Sequence, residues 1–239
     1  MNIGLIGYGK MGKEVEKILV ERGHCVGAIA DSFEELEKIK DNVQIAIEFT
    51  QPDSAYKNIN WCLENNVAIV VGTTGWYNHF EALSKKCDER GGAMFYATNY
   101  SIGVNITFKI NEILARLMNN IEGYKAHLNE THHIYKMDSP SGTAISLADG
   151  LLKNHGEYGE WKEIEKDQAP KGILPIQTYR EDEVPGIHEV IYESDIDYIM
   201  LKHSAKSRKG FALGSVLAAE FLANKTGVFS MKDLLNNIE

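Results

Sequence analysis

The sequence predicts an α/β protein in which a doubly wound parallel sheet is interrupted by an inserted α+β domain. Three observations carry this. Short apolar runs alternate with helical patterns through the first part of the chain, a glycine-rich turn joins the first run to the first helix, and beyond Gly103 the pattern changes to longer stretches of alternating apolar and polar residues. The expected division is 1–103 with 212–239 for the parallel-sheet domain and 104–211 for the insertion.

The chain has 239 residues, 44% of them hydrophobic, enough for one large or two modest cores. Its formal charge is −9, from 25 Lys and Arg against 34 Asp and Glu, which gives generic nucleic-acid binding little electrostatic support. A local basic cluster stands at His203, Lys206, Arg208 and Lys209. Cys25, Cys62 and Cys87 are scattered without a CxxC spacing, so reduced core thiols are expected rather than a disulfide framework or zinc knuckle. The N-terminus enters an apolar strand pattern directly, and no run reaches membrane-spanning length. A cytoplasmic protein without membrane partners is the expectation.

Ile3 to Ile6 reads as a buried parallel strand. It ends in Gly7-Tyr8-Gly9-Lys10-Met11-Gly12, a GxGxxG turn, followed by a helical pattern from Glu14 to Val20 that stops at Gly23. Gly7 permits the tight turn, Gly9 lets backbone approach a pyrophosphate, and Gly12 lets helix and strand pack closely. A second strand, Cys25 to Ala30, ends at Asp31, where a carboxylate would bond the ribose hydroxyls of a dinucleotide. Strand, glycine turn, helix, strand and acid in this order make a Rossmann-type dinucleotide-binding domain the expected reading. Asp31 is followed by Ser32, with no arginine beside it to hold a 2′-phosphate, so NADH is favoured over NADPH.

The alternation continues with strands at Val43–Phe49, Val67–Val71 and Ala93–Ala97 and helices at Ser54–Glu64 and Asn78–Arg90. Gly72-Thr73-Thr74 and Thr98-Asn99-Tyr100-Ser101 follow two of these strands, at the carboxyl edge where open α/β sheets bind ligands, and are expected to contact the cofactor.

In the insertion, Val104–Met118 is a helical pattern and Tyr124–Thr131 a strand. That strand leads into Glu130-Thr131-His132-His133, then Lys136, then Ser139-Pro140-Ser141-Gly142-Thr143 ahead of a helix over Ala144–Leu152. Amides at a helix start, together with its dipole, suit a carboxylate or phosphate, and Lys136 and the two histidines lie close enough in sequence to supply charge and protons. The stretches Trp161–Glu165, Ile173–Arg180, His188–Glu193 and Ile196–Lys202 alternate as strands of an antiparallel sheet with one wet face. Helices over Phe211–Ala223 and Met231–Asn237 are expected to complete the first domain.

The glycine turn, Glu48-Phe49-Thr50-Gln51-Pro52, Gly72-Thr73-Thr74-Gly75-Trp76, Asn99-Tyr100-Ser101-Ile102-Gly103-Val104-Asn105, the His-His-Lys motif, Pro140-Ser141-Gly142-Thr143-Ala144, His203-Ser204-Ala205-Lys206-Ser207-Arg208 and Gly227-Val228-Phe229-Ser230-Met231 occur together in this order. The set resembles the dihydrodipicolinate reductase family of lysine and diaminopimelate biosynthesis over essentially the whole chain. The resemblance implies reduction of a cyclic, unsaturated imine dicarboxylate to tetrahydrodipicolinate by NADH or NADPH, with water lost from the hydroxylated precursor. It implies His132 as catalytic acid/base, Lys136 as proton donor, His133 as a substrate contact, and Gly142 and Thr143 as the carboxylate cradle. It also implies a homotetramer built through the second domain, which would then bind substrate and form the oligomer. Two features depart from the family pattern: the glycine turn is one residue short, with Lys10 in place of the usual arginine, and Tyr135 stands where a basic residue is common.

His127, His132 and His133 lie within one short segment, where Glu130 could join them, and so raise a metal site as an alternative. If the strand continues, His132 and His133 point to opposite faces, a poor chelating geometry, and no metal is expected. On the residues alone His133 reads equally well as a structural histidine. Other functions on the same architecture are an amino-acid dehydrogenase acting on aspartate and an NAD(H)-sensing regulator without turnover. The first lacks the Ser-Gly-Thr turn after a His-His and Lys motif, and the second would not need His132 and Lys136.

Overall fold

The computed structural model describes residues 1–237 and divides the chain into two compact units, 1–102 with 208–237 and 103–207. The first unit contains β1 (Asn2–Ile6), α1 (Lys10–Glu21), β2 (Cys25–Ala30), α2 (Glu37–Lys40), β3 (Ile45–Glu48), α3 (Pro52–Glu64), β4 (Ala68–Val71), α4 (Phe80–Glu89) and β5 (Ala93–Tyr96). After the second unit the chain returns with α7 (Lys209–Leu222), β11 (Gly227–Ser230) and α8 (Met231–Asn236). The six strands are all parallel, in the order β11-β5-β4-β3-β1-β2.

Alternate residues of each strand enter different cores, which is what a sheet covered on both faces requires. Ile3, Leu5, Ile45, Ile47, Val70 and Phe95 pack with Val15, Ile18 and Leu19 of α1 and with Ala212, Val216 and Ala219 of α7. Ile6, Ala46, Ile69, Val71 and Met94 pack with Ile59, Cys62 and Leu63 of α3 and Leu83 and Cys87 of α4. The doubly wound fold is therefore present in the burial pattern itself. Helix α1 stops as its sequence indicated. Gly23 adopts φ +77°, and the amides of Gly23 and His24 return to the carbonyls of Val20 and Leu19 at 3.0 and 2.8 Å, a left-handed glycine cap.

The second unit contains α5 (Ile102–Met118, whose first residue belongs to the first unit), β6 (Lys125–His132), α6 (Gly142–Leu152), β7 (Glu160–Glu163), β8 (Ile173–Arg180), β9 (Ile187–Glu193) and β10 (Tyr198–Ser204). Its sheet has the order β10-β9-β6-β8-β7. This corrects the expected antiparallel sheet. Strands β6, β7 and β8 run parallel, and only β9 and β10 are antiparallel to their neighbours. The physical reason is the connection: a parallel neighbour needs a crossover, and α6 lies in the segment that carries the chain from β6 toward β7 and β8. Ala126 and Leu128 of β6, Leu174 and Ile176 of β8 and Val190 and Tyr192 of β9 pack with Ala144, Leu147, Ala148 and Leu151 of α6 and Ala115 and Met118 of α5.

Two further differences follow from local geometry. The strand β11 was not expected, because its four residues are only half-buried at the edge of the sheet and carry a weak apolar signal. Cys25 is exposed rather than a core thiol, whereas Cys62 and Cys87 are buried. No helix among the described residues is long and apolar enough to cross a membrane.

Candidate active site

In the first unit the chain leaves β1 for β2 on one side and later enters β3 on the other, so the sheet has its topological switch at the carboxyl ends of β1 and β3. A cleft of about 520 Å³ lies there, lined by Gly9, Lys10, Met11, Phe49, Thr50, Pro52, Gly72, Thr73 and Thr74. Gly7 has φ +88°, and a Cβ on it would stand 2.1 Å from the Phe49 carbonyl oxygen. A Cβ on Gly12 would stand 2.3 Å from the Gly7 carbonyl oxygen, so α1 approaches the end of β1 only because that residue is glycine. Gly9 caps α1 and has nothing within 4 Å of its Cβ direction, leaving the first turn of the helix open.

Asp31 is exposed at the end of β2 and accepts the Tyr8 amide at 2.8 Å. The Tyr8 hydroxyl donates to Glu16, and Lys10 is exposed. These features fit a dinucleotide: an open helix start for its pyrophosphate and an acid at the second strand for a ribose.

Beneath the cleft lies Glu48, fully buried. Its Oε1 accepts the Thr50 amide at 3.1 Å, the Thr50 hydroxyl, and the Thr73 hydroxyl at 3.0 Å. Burial pushes this carboxyl above its ordinary range, against the pull of hydrogen bonds from Thr50, Thr73 and Asn58. Thr74 and Thr98 are exposed, and Asn99 Oδ1 accepts the Ser101 amide at 2.9 Å. Tyr100, expected to contact the cofactor, turns its side chain into the core. It is 2% exposed, belongs to the core, and its hydroxyl donates to the Val71 carbonyl at 2.7 Å. In the basic cluster, Lys209 is paired with Glu21 at 3.0 Å.

The second unit gathers its polar chemistry at the end of β6. Glu130 and His132 share the buried face of that strand, two residues apart. His133 follows the strand, half-buried, and Lys136 turns back so that its amide donates to the His133 carbonyl at 3.1 Å. The Lys136 ammonium donates to both oxygens of Asp138 at 2.7 and 2.8 Å and thereby holds that carboxyl below the usual carboxylate range. Tyr135 is exposed. A cis Ser139–Pro140 peptide leads to Ser141, whose hydroxyl caps α6 by accepting the Ala144 amide at 3.2 Å. Gly142 then begins the helix in an exposed position, with Thr143 half-buried behind it.

Three residues at this centre escaped the sequence reading in their present roles. Glu130 accepts the Ser141 amide on both oxygens, at 3.2 and 3.1 Å, and lies 3.5 Å from Arg180 Nη1, 3.6 Å from His132 Nδ1 and 3.8 Å from His188 Nε2. Arg180 also donates to the Asp138 carbonyl at 2.9 Å. His188 Nε2 is 3.0 Å from Ser141 Oγ. Only the cross-strand register could have revealed this, since it sets Glu130 opposite His188 and His132 opposite Arg180.

Burial lowers the pKa of His132. Glu130 and Asp138 oppose the shift, whereas Lys136 and Arg180 add to it. Burial and the neighbouring His132, His203 and Lys136 push His188 down to about 3. Glu130, His132 and His188 place possible ligand atoms within 4.8 Å of one another. The donor set is a poor one for a dication, however, because Ser141 already donates to both oxygens of Glu130 and the cations Arg180 and Lys136 face the cluster. The arrangement is that of a buried acid/base centre beside a helix start.

Family models agree with both halves of this description. Residues 1–100 match the N-terminal part of dihydrodipicolinate reductase and residues 103–235 its C-terminal part. The chain belongs to the dihydrodipicolinate reductase family. It is 43% identical over 239 residues, all of this chain and 99% of the other, to the 4-hydroxy-tetrahydrodipicolinate reductase of Christiangramia forsetii. It is 32% identical over 92% of its length, and 83% of the other, to the enzyme of the same name from Neisseria gonorrhoeae. A dipicolinate-bound dihydrodipicolinate reductase from Paenisporosarcina sp. TG-14 shares the fold, with a TM-score of 0.80 at 19% identity over 98% of this chain and 99% of that one. A probable dehydrogenase from Thermotoga maritima shares it more distantly, at TM-score 0.61 and 9% identity over 98% and 92%. As a dihydrodipicolinate reductase family member, the chain has an oxidoreductase architecture with a nucleotide-binding N-terminal domain.

Proposed function

We propose that this protein reduces 4-hydroxy-tetrahydrodipicolinate to tetrahydrodipicolinate in lysine and diaminopimelate biosynthesis, with loss of water from the hydroxylated precursor. The observation that carries the reading is the meeting of His132, the Lys136 ammonium and the start of α6 at one end of the second unit. The family membership and its named relatives support it.

A dicarboxylate substrate needs an anion cradle and a proton source. The first turn of α6, with Gly142 exposed and Thr143 half-buried, supplies the cradle by its amides and dipole, and His133 is assigned to the same substrate. The bound nicotinamide cofactor supplies hydride. The electron pair that the hydride brings to the conjugated double bond leaves a carbon that must be protonated, and His132 with Lys136 delivers that proton.

Gly7, Gly9 and Gly12 shape the pyrophosphate site. Lys10, Met11, Gly72, Thr73, Thr74, Thr98, Asn99 and Ser101 border it or its sheet edge, with Tyr100 contributing backbone only. The exposed Asp31 carboxylate favours NADH, because a 2′-phosphate there would meet a negative charge, and Lys10 is the nearby cation that softens the preference. Oligomerisation through the second sheet is part of the same reading. It is supported by the outer strand β10, which exposes Tyr198, Ile199 and Met200.

The test follows nicotinamide absorbance at neutral pH, with substrate generated in place by the preceding synthase from pyruvate and aspartate semialdehyde. Rapid oxidation of NADH, faster than of NADPH, is expected. Folded protein that binds NADH yet oxidises neither cofactor would discard the substrate assignment.

A further inference from the structure

Glu130 is the least exposed polar residue of the acid/base centre, at 0%. Four groups from four segments of the second unit surround it: His132 from its own strand, Arg180 from β8, His188 from β9 and Ser141 at the start of α6, while Lys136 and Asp138 of the intervening loop face His132 beside it. His203 of β10 acts on this cluster through His188. Its oxygens divide the work. Both accept the Ser141 amide, Oε1 lies nearest Arg180, and Oε2 lies 3.6 Å from His132 Nδ1 and 3.8 Å from His188 Nε2.

The His132 ring is confined as well. Nδ1 is buried without a hydrogen-bond partner, and on the opposite edge a Cβ added to Gly186 would come within 2.9 Å of Nε2. A buried imidazole nitrogen without a partner costs free energy, and the carboxylate oxygen at 3.6 Å is the acceptor on hand. Closing that gap by well under an ångström would make an ordinary N–H to O bond, a tightening common when a substrate complex forms.

We propose that Glu130 is a positioning residue for the reduction: its carboxylate fixes His132 with the proton on Nδ1, so that Nε2 faces the reacting carbon, while the same carboxylate clamps the Ser141 amide that starts α6. One buried side chain then sets the distance between the proton donor and the helix start that holds the substrate carboxylate. The proposal rests on the reduction assigned above, because it gives Glu130 a role in that proton transfer. The chemical logic is that of a carboxylate orienting a histidine in other acid/base sites, where it selects the tautomer and favours the protonated ring without taking the proton itself.

The first measurement uses the unaltered protein. Imidazole ¹⁵N chemical shifts should show neutral His132 carrying its proton on Nδ1, and a neutral ring protonated on Nε2 would overturn the proposal. The second compares Glu130→Gln and Glu130→Asp in the full chain, with NADH binding by fluorescence as the control for folding. Glu130→Gln should lower kcat by roughly ten-fold or more, the scale of losing support for a general acid. It should also move the alkaline limb of the kcat–pH profile down by about one unit or more, the shift expected when an opposite charge within about 4–6 Å is removed. Glu130→Asp, which keeps the charge, should leave that limb near its wild-type position. A Glu130→Gln enzyme that binds NADH normally and shows the wild-type pH profile would overturn the proposal. Because the NMR experiment needs no turnover, an inactive wild-type protein with an Nδ1-protonated His132 would overturn the assigned reaction while retaining the contact.

Discussion

Thr50 and Thr73 meet over a buried carboxyl: the Thr50 amide donates to Thr73 Oγ1 at 2.7 Å, and that hydroxyl donates to Glu48 Oε1 at 3.0 Å. Two loops that line the cleft at the end of the parallel sheet are thus joined through one side chain below them.

We predict that Glu48→Ala weakens NADH binding by roughly ten-fold, the scale of losing one or two hydrogen bonds that hold the loops, while Glu48→Gln weakens it less. Burial raises the folded-state pKa of Glu48. Its neutral form is therefore favoured in the native state, and its contribution to stability declines as pH rises from the unfolded carboxyl range toward the raised folded value. The melting temperature of Glu48→Gln relative to wild type should accordingly increase between pH 5 and pH 8. A difference that stays flat with pH would show that Glu48 does not titrate in this way.

Lys136 and His132 lie on the second unit, away from the glycine turn in sequence, and their losses should separate chemistry from cofactor binding. His132→Gln or Lys136→Ala is predicted to reduce kcat by at least roughly 100-fold, as loss of a general acid does, with NADH affinity retained. Steady-state kinetics and fluorescence titration check the two halves, and unchanged kcat in both variants would remove these residues from the mechanism.

The ion pair between Lys136 and Asp138 competes with any dianion that uses the ammonium. Asp138 is largely exposed, with 62% of its side chain accessible against 18% for Lys136, so solvent screens the pair and holds its value to about 1 kcal/mol or less. Asp138→Asn is therefore predicted to lower KM for the dicarboxylate by up to about five-fold, with the gain shrinking at high salt. A raised KM would instead assign Asp138 a direct part in holding the loop or the substrate.

His188 gives a pH-dependent stability with a definite sign. Its folded pKa is pushed down to about 3, whereas an unfolded histidine titrates near about 6.5. Between these values the unfolded chain binds the additional proton, so stability is fully present above the unfolded pKa and is lost as pH falls through the window. The loss should amount to a few kcal/mol at its acid end. In urea titrations His188→Gln should flatten this decline between pH 7 and pH 4. A variant that declines as steeply as wild type would transfer the effect to another group.

The opening half of the fold was legible in the sequence because its determinants are local. Gly7 and Gly12 are glycine for reasons that the turn itself imposes, Gly23 ends α1 by its own φ, and the buried strands are short enough to read from composition. The strand direction in the second sheet was not legible. Alternation marks a half-buried strand but does not say which way its neighbour runs, and a parallel β6, β7 and β8 depends on the path taken by the chain through α6.

The same division holds at the candidate site. By itself the sequence determined the Rossmann-type domain, the family, and the stretch holding His132, His133, Lys136, Gly142 and Thr143, because these lie within one short segment and share a recognisable order. Tertiary structure alone decided that Tyr100 belongs to the core, that Lys136 is held by Asp138, and that Glu130 lies among His132, Ser141, Arg180 and His188. Strand register is the physical reason: residues far apart in the chain become neighbours only when β6 is flanked by β8 and β9, and burial then converts those neighbours into shifted protonation equilibria.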